Sequence, residues 1–318
     1  MRRHDRYDIA MDERKTIAVL LPCYNEAATI GKVVDDFARE LPEATIYVFD
    51  NCSTDGTADV AREHGATVIR EARQGKGFVI DSMLRRIDAD VYLMADGDDT
   101  YPADHARKVL QPVLDDDADL VVGARLAEYN DKSFRPLHVF GNQLVRNLIN
   151  SIFGAKLTDI LSGYRAFNRN VVDCVPIVSS GFEVETEMTI HSLYYRLKLV
   201  EVQVPYGERP DGSESKLRTF HDGFRVLWKL FNLVRAFKPL TFFGLIAALL
   251  FVLGVLSGMP PVLDYFQNDD HFVEHVPLAI LATGLILLSA GCGFLGLILH
   301  AMNWRFKELH NVLTRRRP

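Results

Sequence analysis

The 318-residue sequence predicts an α/β fold, in which helices cover both faces of a mostly parallel sheet, followed by two transmembrane helices. Two observations carry this prediction. Up to about residue 215, short apolar runs typical of strands alternate with longer stretches typical of helices. After that point, residues 239–262 and 276–302 contain no Asp, Glu, Lys or Arg, and both stretches exceed the roughly 20 residues that a helix needs to cross a bilayer.

Five strands and three helices can be bounded in the first part. The predicted strands are 15–21, 45–49, 67–70, 91–95 and 119–124, and the predicted helices are 27–41, 54–64 and 76–87. Polar clusters follow the first, second and fourth of these strands, at 24–26, 50–51 and 96–99. Because ligands bind at the carboxyl ends of the strands in such sheets, the three clusters indicate one binding site.

The charge of the first part disfavours a role in nucleic-acid binding. Residues 1–215 hold 25 Lys and Arg against 36 Asp and Glu, a net charge of -11. So acidic a domain lacks the basic surface that contact with a nucleic-acid backbone requires. The four cysteines are isolated, without a CxxC pair, which indicates reduced cytosolic thiols rather than disulfides or a zinc site. Residues 1–14 are rich in charge and do not resemble a signal peptide.

Charge also orients the two apolar spans. The flanking segments 216–238 and 303–318 carry six and five Lys or Arg against one acid each, whereas 263–275 has no Lys or Arg and four acids. The positive-inside bias therefore predicts an integral inner- or plasma-membrane protein with both flanks in the cytoplasm and a short loop outside. Apolar residues recur every three or four positions through 216–238, which favours an amphipathic helix at the membrane interface over one packed on the soluble domain.

The predicted organisation has seven parts. They are an N-terminal tail (1–14), a soluble domain (15–215), an interfacial segment (216–238), a first transmembrane helix (239–262), an external loop (263–275), a second transmembrane helix (276–302) and a basic cytoplasmic tail (303–318). We expect the soluble domain to lie beside the inner leaflet, so the bilayer itself is a predicted partner.

The acids after the fourth strand point to a divalent cation. Asp96 and Asp98 flank Gly97, a spacing that can aim both carboxylates at one magnesium or manganese ion (Mg²⁺ or Mn²⁺). Such sites are usually completed by substrate phosphates. Neither GxGxxG after the first strand nor GxxxxGK[ST] is present, which disfavours a dinucleotide fold and a P-loop. The glycine turn at 75–77 leaves a phosphate contact and a plain loop equally open.

The sequence resembles the family 2 glycosyltransferases. The motifs that carry the resemblance are, in order, PCYNE (22–26), DNCSTDGT (50–57), DGD (96–98), GAR (123–125), DILSGYR (159–165) and RPDGSESK (209–216). The last motif is similar to that of the branch containing dolichyl-phosphate mannosyltransferases and polyprenyl-phosphate glucosyltransferases, in which two C-terminal membrane spans also occur. The motifs do not specify the donor sugar.

The resemblance implies a GT-A fold and a nucleotide-sugar donor. The donor-binding candidates are Pro22, Tyr24, Asn25, Glu26, Asp50, Lys76, Asp96 and Gly97. Asp98, together with Asp96, is expected to contact the metal. The branch often has Gln two positions after the second aspartate, where this chain has Thr100, so Thr100 is a further candidate ligand and the coordination sphere departs from the pattern.

The resemblance also implies a polyprenyl phosphate acceptor. The candidate contacts to its phosphate are Arg125, Arg135, Arg209 and Lys216, and the predicted catalytic residues are Asp98, Arg125 and Arg209. A guanidinium matches phosphate geometry with two hydrogen bonds. A phosphate monoester is largely ionised at neutral pH, so it can attack the anomeric carbon without a general base. These features predict an inverting transferase that moves one hexose from a UDP- or GDP-linked donor to undecaprenyl or dolichyl phosphate at the cytoplasmic face.

Two other functions stay open. A sugar hydroxyl acceptor would need a general base, for which one of Glu183, Glu185 and Glu187 is a reserve candidate, although we expect these three to be solvated. Processive synthases carry QxxRW, which is absent. The other alternative is an inactive scaffold that binds nucleotide-sugar. His191 and His221 have no metal-site spacing, and the acids between 115 and 119 indicate a solvated loop. Polyprenol length and oligomeric state stay open, a homo-oligomer included.

Overall fold

The computed structural model describes residues 15–125, 136–181, 183–207, 228, 231–232, 234–267 and 272–314. The chain divides into two compact units, with the boundary between Val226 and Leu227. The predicted interfacial segment lies mostly outside the described residues, so its amphipathic helix stays a prediction.

The first unit is built on a seven-stranded sheet with strand order β3-β2-β1-β4-β6-β5-β7. The strands are β1 (Ile17–Cys23), β2 (Thr45–Asp50), β3 (Thr67–Arg70), β4 (Val91–Met94), β5 (Leu120–Arg125), β6 (Arg165–Asn168) and β7 (Leu199–Val204). Only β6 runs antiparallel to its neighbours, β4 and β5, while the other pairs of adjacent strands are parallel. The predicted mostly parallel α/β sheet is confirmed, and β6 and β7 are strands that the sequence patterns did not reveal.

Seven α-helices accompany this sheet within the described residues. They are α1 (Ile30–Glu40), α2 (Thr57–Glu63), α3 (Lys76–Arg86), α4 (Ala106–Leu114), α5 (Pro136–Phe153), α6 (Arg169–Cys174) and α7 (Val184–Tyr194). The first two begin three residues later than predicted. For α2 the reason is visible in Gly56, whose φ of 91° lies in the left-handed region and ends the preceding loop.

Apolar side chains fill both sides of the sheet. Along β1, Val19 and Leu21 enter one core cluster, and Leu20 enters the other. Alternate residues of a strand point to opposite faces, so a strand covered on both faces must be apolar at nearly every position. This explains the unbroken apolar runs of the sequence. The polar groups lie outside these two cores, at the ends of the strands, and the candidate site is found there.

The second unit contains two long helices, α8 (Pro239–Gln267) and α9 (Val276–Thr314), each long and apolar enough to cross a membrane. Ser289 Oγ donates a hydrogen bond to the carbonyl of Ala247, 2.8 Å away, which joins the two helices. Both helices continue beyond the predicted ends of the apolar stretches. Charged residues end an apolar stretch but do not end a helix, so composition alone could not bound them.

Candidate active site

The candidate site lies at the carboxyl ends of β1, β2 and β4. Strand β1 is hydrogen-bonded to β2 on one side and to β4 on the other, which is the switch point at which open α/β sheets bind ligands. The loops after β1 and β2 are joined directly. Asn25 N–H donates to Ser53 Oγ, and Thr54 N–H donates to Asn25 Oδ1, both at 2.9 Å. Asn25 adopts a φ of 53°, a conformation that Asn tolerates better than most residues.

The loop after β2 is fixed to the loop before α3 by Asn51. Its Nδ2 donates to the carbonyl of Arg73 at 2.8 Å, and its Oδ1 accepts from Gly75 N–H at 2.7 Å. Asp50 is buried, and its Oδ1 accepts from Ser53 N–H at 3.2 Å. The sequence places Asn51 inside a motif, but nothing local shows that it positions the glycine turn before Lys76.

Lys76 lies at the first position of α3, between two carboxylates. Its Nζ is 2.6 Å from Asp96 Oδ1 and 2.6 Å from Glu185 Oε1. Burial lowers the pKa of Lys76, but the negative charges and hydrogen bonds of Asp96 and Glu185 outweigh it and hold that pKa above the usual value. The ammonium is therefore charged at any physiological pH, and Asp96 is already partly neutralised by this chain.

The second aspartate of the DGD motif has a different environment. Asp98 is 4% exposed, and its Oδ1 accepts from the Thr100 hydroxyl at 2.6 Å. Between the two aspartates, the Gly97 carbonyl accepts from the Thr29 hydroxyl at 2.8 Å. A Cβ at Gly97 would overlap the Cys23 sulfur. Cys23 of β1 and Thr29, the residue before α1, thus both contact the turn, and only glycine fits at its centre.

Asp96 and Asp98 supply hard oxygen ligands two residues apart, which suits Mg²⁺ or Mn²⁺. Among the described residues no group of three or more His, Cys, Asp or Glu side chains could hold an ion. A cation held by these two carboxylates would take its remaining ligands from substrate oxygens. The Thr100 hydroxyl donates to Asp98, a contact that orients the carboxylate.

Arg125, at the end of β5, is paired with Asp159. Its Nε donates to Asp159 Oδ2 at 2.7 Å and its Nη2 to Oδ1 at 3.0 Å, while the guanidinium lies 5.3 Å from the centre of the Tyr206 ring. The other predicted phosphate contacts, Arg135, Arg209 and Lys216, lie outside the described residues. Gly163, from the Asp159 motif, approaches the first aspartate so closely that a Cβ there would lie 2.8 Å from Asp96 Oδ2.

The expectation that the three glutamates are solvated is wrong for two of them. Glu185 and Glu187 are 3% and 1% exposed on α7, and only Glu183, at the start of the helix, is half-buried. Glu187 Oε2 accepts from the backbone N–H of Ser179 at 2.8 Å. Burial is tolerated because partners from other elements satisfy both carboxylates. Helix α7 is buried on all sides, and the apolar residues next to the two glutamates in the sequence were the available sign of that burial.

The acid-rich loop after α4 also differs in part from expectation. Asp119 is not a solvated loop residue: its side chain accepts from Asn168 and Asn170 at 2.9 Å each and from Lys198 N–H at 2.8 Å. It joins β5, β6 and β7 at their ends. The other three acids of the run are exposed, as predicted. His191 is buried on α7, and its Nε2 is 3.8 Å from Glu187 Oε1, while His221 lies outside the described residues.

Comparison with known proteins gives consistent matches. The model of the family "Glycosyl transferase family 2" matches residues 18–175. Glycosyltransferase AglJ of Haloferax volcanii is 37% identical over 229 residues, which cover 72% of this chain and 75% of that protein. The dolichyl-phosphate hexose transferase of the same organism is 30% identical over 210 residues, covering 66% of this chain and 90% of the relative.

A solved structure shares the fold. Glucosyl-3-phosphoglycerate synthase from Mycobacterium tuberculosis, crystallised with Mn²⁺, uridine diphosphate and phosphoglyceric acid, superposes with a TM-score of 0.57 at 22% identity. The match covers 69% of this chain and 78% of that one. At this level of identity the likeness supports the architecture of the sheet and its helices, and no more.

Proposed function

The chain belongs to glycosyl transferase family 2 and has the GT-A fold, and from this premise we propose that it transfers one hexose from a nucleotide-sugar to polyprenyl phosphate at the cytoplasmic face of a membrane. One observation carries the proposal. The paired aspartates after β4 and the arginine at the end of β5 lie at one end of the sheet, in a chain with two helices long enough to cross a bilayer. A relative named for dolichyl phosphate and hexose transfer supports the acceptor class.

On the donor side, Asp96 and Asp98 would hold Mg²⁺ or Mn²⁺. When bound, the cation stabilises the negative charge that develops on the leaving nucleoside diphosphate. Lys76 adds a fixed positive charge beside this position, because its ammonium is 2.6 Å from Asp96. The remaining proposed donor contacts are Pro22, Tyr24, Asn25, Glu26, Asp50 and Gly97.

On the acceptor side, Arg125 is proposed to bind the lipid phosphate. Asp159 takes the Nε and Nη2 donors of the guanidinium, and a guanidinium has five N–H groups in all, so further donors can reach a phosphate. The ionised phosphate oxygen attacks the anomeric carbon from the side opposite the leaving diphosphate, and the configuration inverts. Arg135, Arg209 and Lys216 are proposed to complete this phosphate site.

The environment of the buried glutamates supports lipid phosphate over a sugar hydroxyl as acceptor. A hydroxyl nucleophile needs a general base within hydrogen-bond reach. Glu185 is paired with Lys76, and Glu187 accepts backbone N–H groups from 178 and 179. Both carboxylates therefore have structural partners. A phosphate acceptor needs no such base, so it is compatible with a site in which both glutamates already have partners.

The proposal is tested by direct transfer. Purified full-length protein is incubated with Mg²⁺ or Mn²⁺, radiolabelled UDP- and GDP-sugars in turn, and a short-chain polyprenyl phosphate. We expect label in the organic phase with one donor, none with the unphosphorylated polyprenol, and none with Asp98→Ala protein that still folds. Label that appears only on an oligosaccharide, with none on lipid phosphate, would contradict the proposal.

A further inference from the structure

Lys76 connects two carboxylates that belong to different parts of the molecule. Asp96 follows β4 and is a proposed ligand of the cation, whereas Glu185 lies on α7, is 3% exposed and belongs to none of the predicted donor, metal or phosphate contacts. The ammonium is 2.6 Å from an oxygen of each. A charged group held at equal distance between two anions can shift its pairing from one to the other with little movement.

We propose that Glu185 is a positioning residue that retains Lys76 when a divalent cation takes over Asp96. The inference rests on the proposed function and adds a part of the machinery for loading the donor. The ammonium and the cation compete for the Asp96 carboxylate. With Glu185 present, Lys76 keeps one carboxylate after Asp96 turns to the cation. Its charge then stays beside the donor diphosphate with a buried carboxylate as its partner.

Packing between α7 and α3 fixes this arrangement. Glu187 accepts from Ser179 N–H at 2.8 Å and so holds the loop before α7. The next carbonyl in that loop, of Ser180, accepts from Gly77 N–H at 3.2 Å, and a Cβ at Gly77 would overlap the Ser179 carbonyl. The loop thus lies directly against the first turn of α3, which carries Lys76. Backbone contacts therefore hold the first turn of α3 against the loop that precedes α7.

The proposal predicts the direction of a substitution effect. In Glu185→Gln the ammonium keeps Asp96 as the one carboxylate of this pair, so it holds Asp96 more firmly against the cation. The affinity for Mn²⁺ should then fall by about tenfold, equivalent to ~1.4 kcal/mol. If Glu185 only stabilised the fold, Glu185→Gln would lower the melting temperature and leave the Mn²⁺ affinity unchanged.

The experiment measures Mn²⁺ binding to the full-length protein by the electron paramagnetic resonance signal of free Mn²⁺, with UDP or GDP present and no acceptor. Glu183→Gln is the matched control, since it removes the same charge two residues away and no ion pair to Glu183 occurs among the described residues. We expect weaker Mn²⁺ binding in Glu185→Gln and wild-type affinity in Glu183→Gln. In a Lys76→Met background, Glu185→Gln should make no further difference, because the effect passes through the ammonium.

Three results would overturn the inference: equal Mn²⁺ affinity in the two glutamine variants, an undiminished effect of Glu185→Gln in the Lys76→Met background, or no Mn²⁺ binding by the wild-type protein with either nucleotide. The readout needs no acceptor, so it separates this inference from the proposed transfer. Weaker Mn²⁺ binding in Glu185→Gln, together with no labelled lipid in the transfer assay, would support the role of Glu185 and contradict polyprenyl phosphate as the acceptor.

Discussion

Arg125 and Asp159 form a bidentate ion pair at the carboxyl end of β5. Two N–H groups of the guanidinium meet the two carboxylate oxygens at 2.7 and 3.0 Å, and the backbone N–H of Arg125 donates to the same carboxylate at 3.2 Å. Burial raises the pKa of Asp159, but hydrogen bonds and charge from Arg125 outweigh it, so the pKa lies below its usual value. The carboxylate is therefore ionised at neutral pH and fixes the plane of the guanidinium.

This pair predicts an effect on acceptor binding. Asp159→Asn should raise the KM for short-chain polyprenyl phosphate by about tenfold, because a guanidinium without its orienting partner binds phosphate less well. Asp159→Glu keeps the charge and should retain part of the affinity. Steady-state kinetics with each substrate varied in turn measure the effect. An equal rise in the donor KM would show that the pair does not act on the acceptor side.

The glycine between the two aspartates is expected to be irreplaceable unless its neighbour changes too. Gly97→Ala introduces a Cβ that overlaps the Cys23 sulfur, and overpacking of this kind costs about 1–3 kcal/mol. We expect a lower melting temperature and greatly reduced transfer. The double variant Gly97→Ala with Cys23→Ala removes the obstructing sulfur and should recover much of both. If the double variant is no better than Gly97→Ala, the close approach to Cys23 is not the constraint.

The hydroxyl of Thr100 should affect the metal requirement through Asp98. Thr100→Val keeps the shape of the side chain but removes the 2.6 Å hydrogen bond to a buried carboxylate. Such a bond contributes about 1 kcal/mol, so the Mn²⁺ concentration for half-maximal transfer should rise about fivefold. Thr100→Ser retains the hydroxyl and is the control. A Val variant with an unchanged Mn²⁺ requirement would mean that Asp98 is oriented without it.

The strands that lead into the site could be predicted because each is a continuous run of apolar residues. Such runs arise because an apolar core packs against each face of the sheet. The grouping of the polar residues at the strand ends could also be predicted, because a parallel sheet brings the carboxyl ends of its strands to one edge. What could not be predicted depends on partners far away in sequence. Arg165 is fully buried, yet carbonyls of 160 and 162 and the Thr189 hydroxyl satisfy its guanidinium.

Burial of the glutamates on α7 follows the same logic. Nothing within seven residues of Glu185 shows that Lys76, over a hundred positions earlier, will neutralise it. Likewise β6 runs antiparallel to β4 and β5, and a four-residue strand carries too little pattern to reveal its direction. The sequence around Glu185 and Glu187 therefore favours solvent exposure, whereas Lys76 and the backbone of Ser179 allow both carboxylates to be buried.

Glu71 should make stability depend on pH. Hydrogen bonds from Arg73, including one from Nε at 2.9 Å, lower the pKa of Glu71 from 4.5 to about 2, against the opposing effect of burial. A carboxylate with a lowered folded-state pKa stabilises the protein above its unfolded pKa, and this contribution is lost as the pH falls. Glu71→Gln should therefore lower the melting temperature at neutral pH, and its difference from wild type should shrink below about pH 4.5.

Glu63→Gln, at the exposed end of α2, is the control for this pH effect, because it removes a carboxylate that has no ion pair among the described residues. Melting temperatures of the three proteins are compared from about pH 7 to about pH 3. A difference between Glu71→Gln and wild type that stays constant over this range would show that the Arg73 contact does not hold the pKa down.

The segment between α8 and α9 is expected to lie outside, on the side of the membrane opposite the cytoplasm. The predicted loop has four acids and no Lys or Arg, whereas basic residues flank both helices, and this bias fixes the orientation of short loops. In a chain whose native cysteines are replaced by alanine, a membrane-impermeant maleimide added to intact cells should label Glu274→Cys. Arg305→Cys, in the exposed last part of α9, should react only after the membrane is permeabilised. Labelling of Arg305→Cys in intact cells, with Glu274→Cys protected, would reverse the orientation and place the proposed transfer on the opposite face.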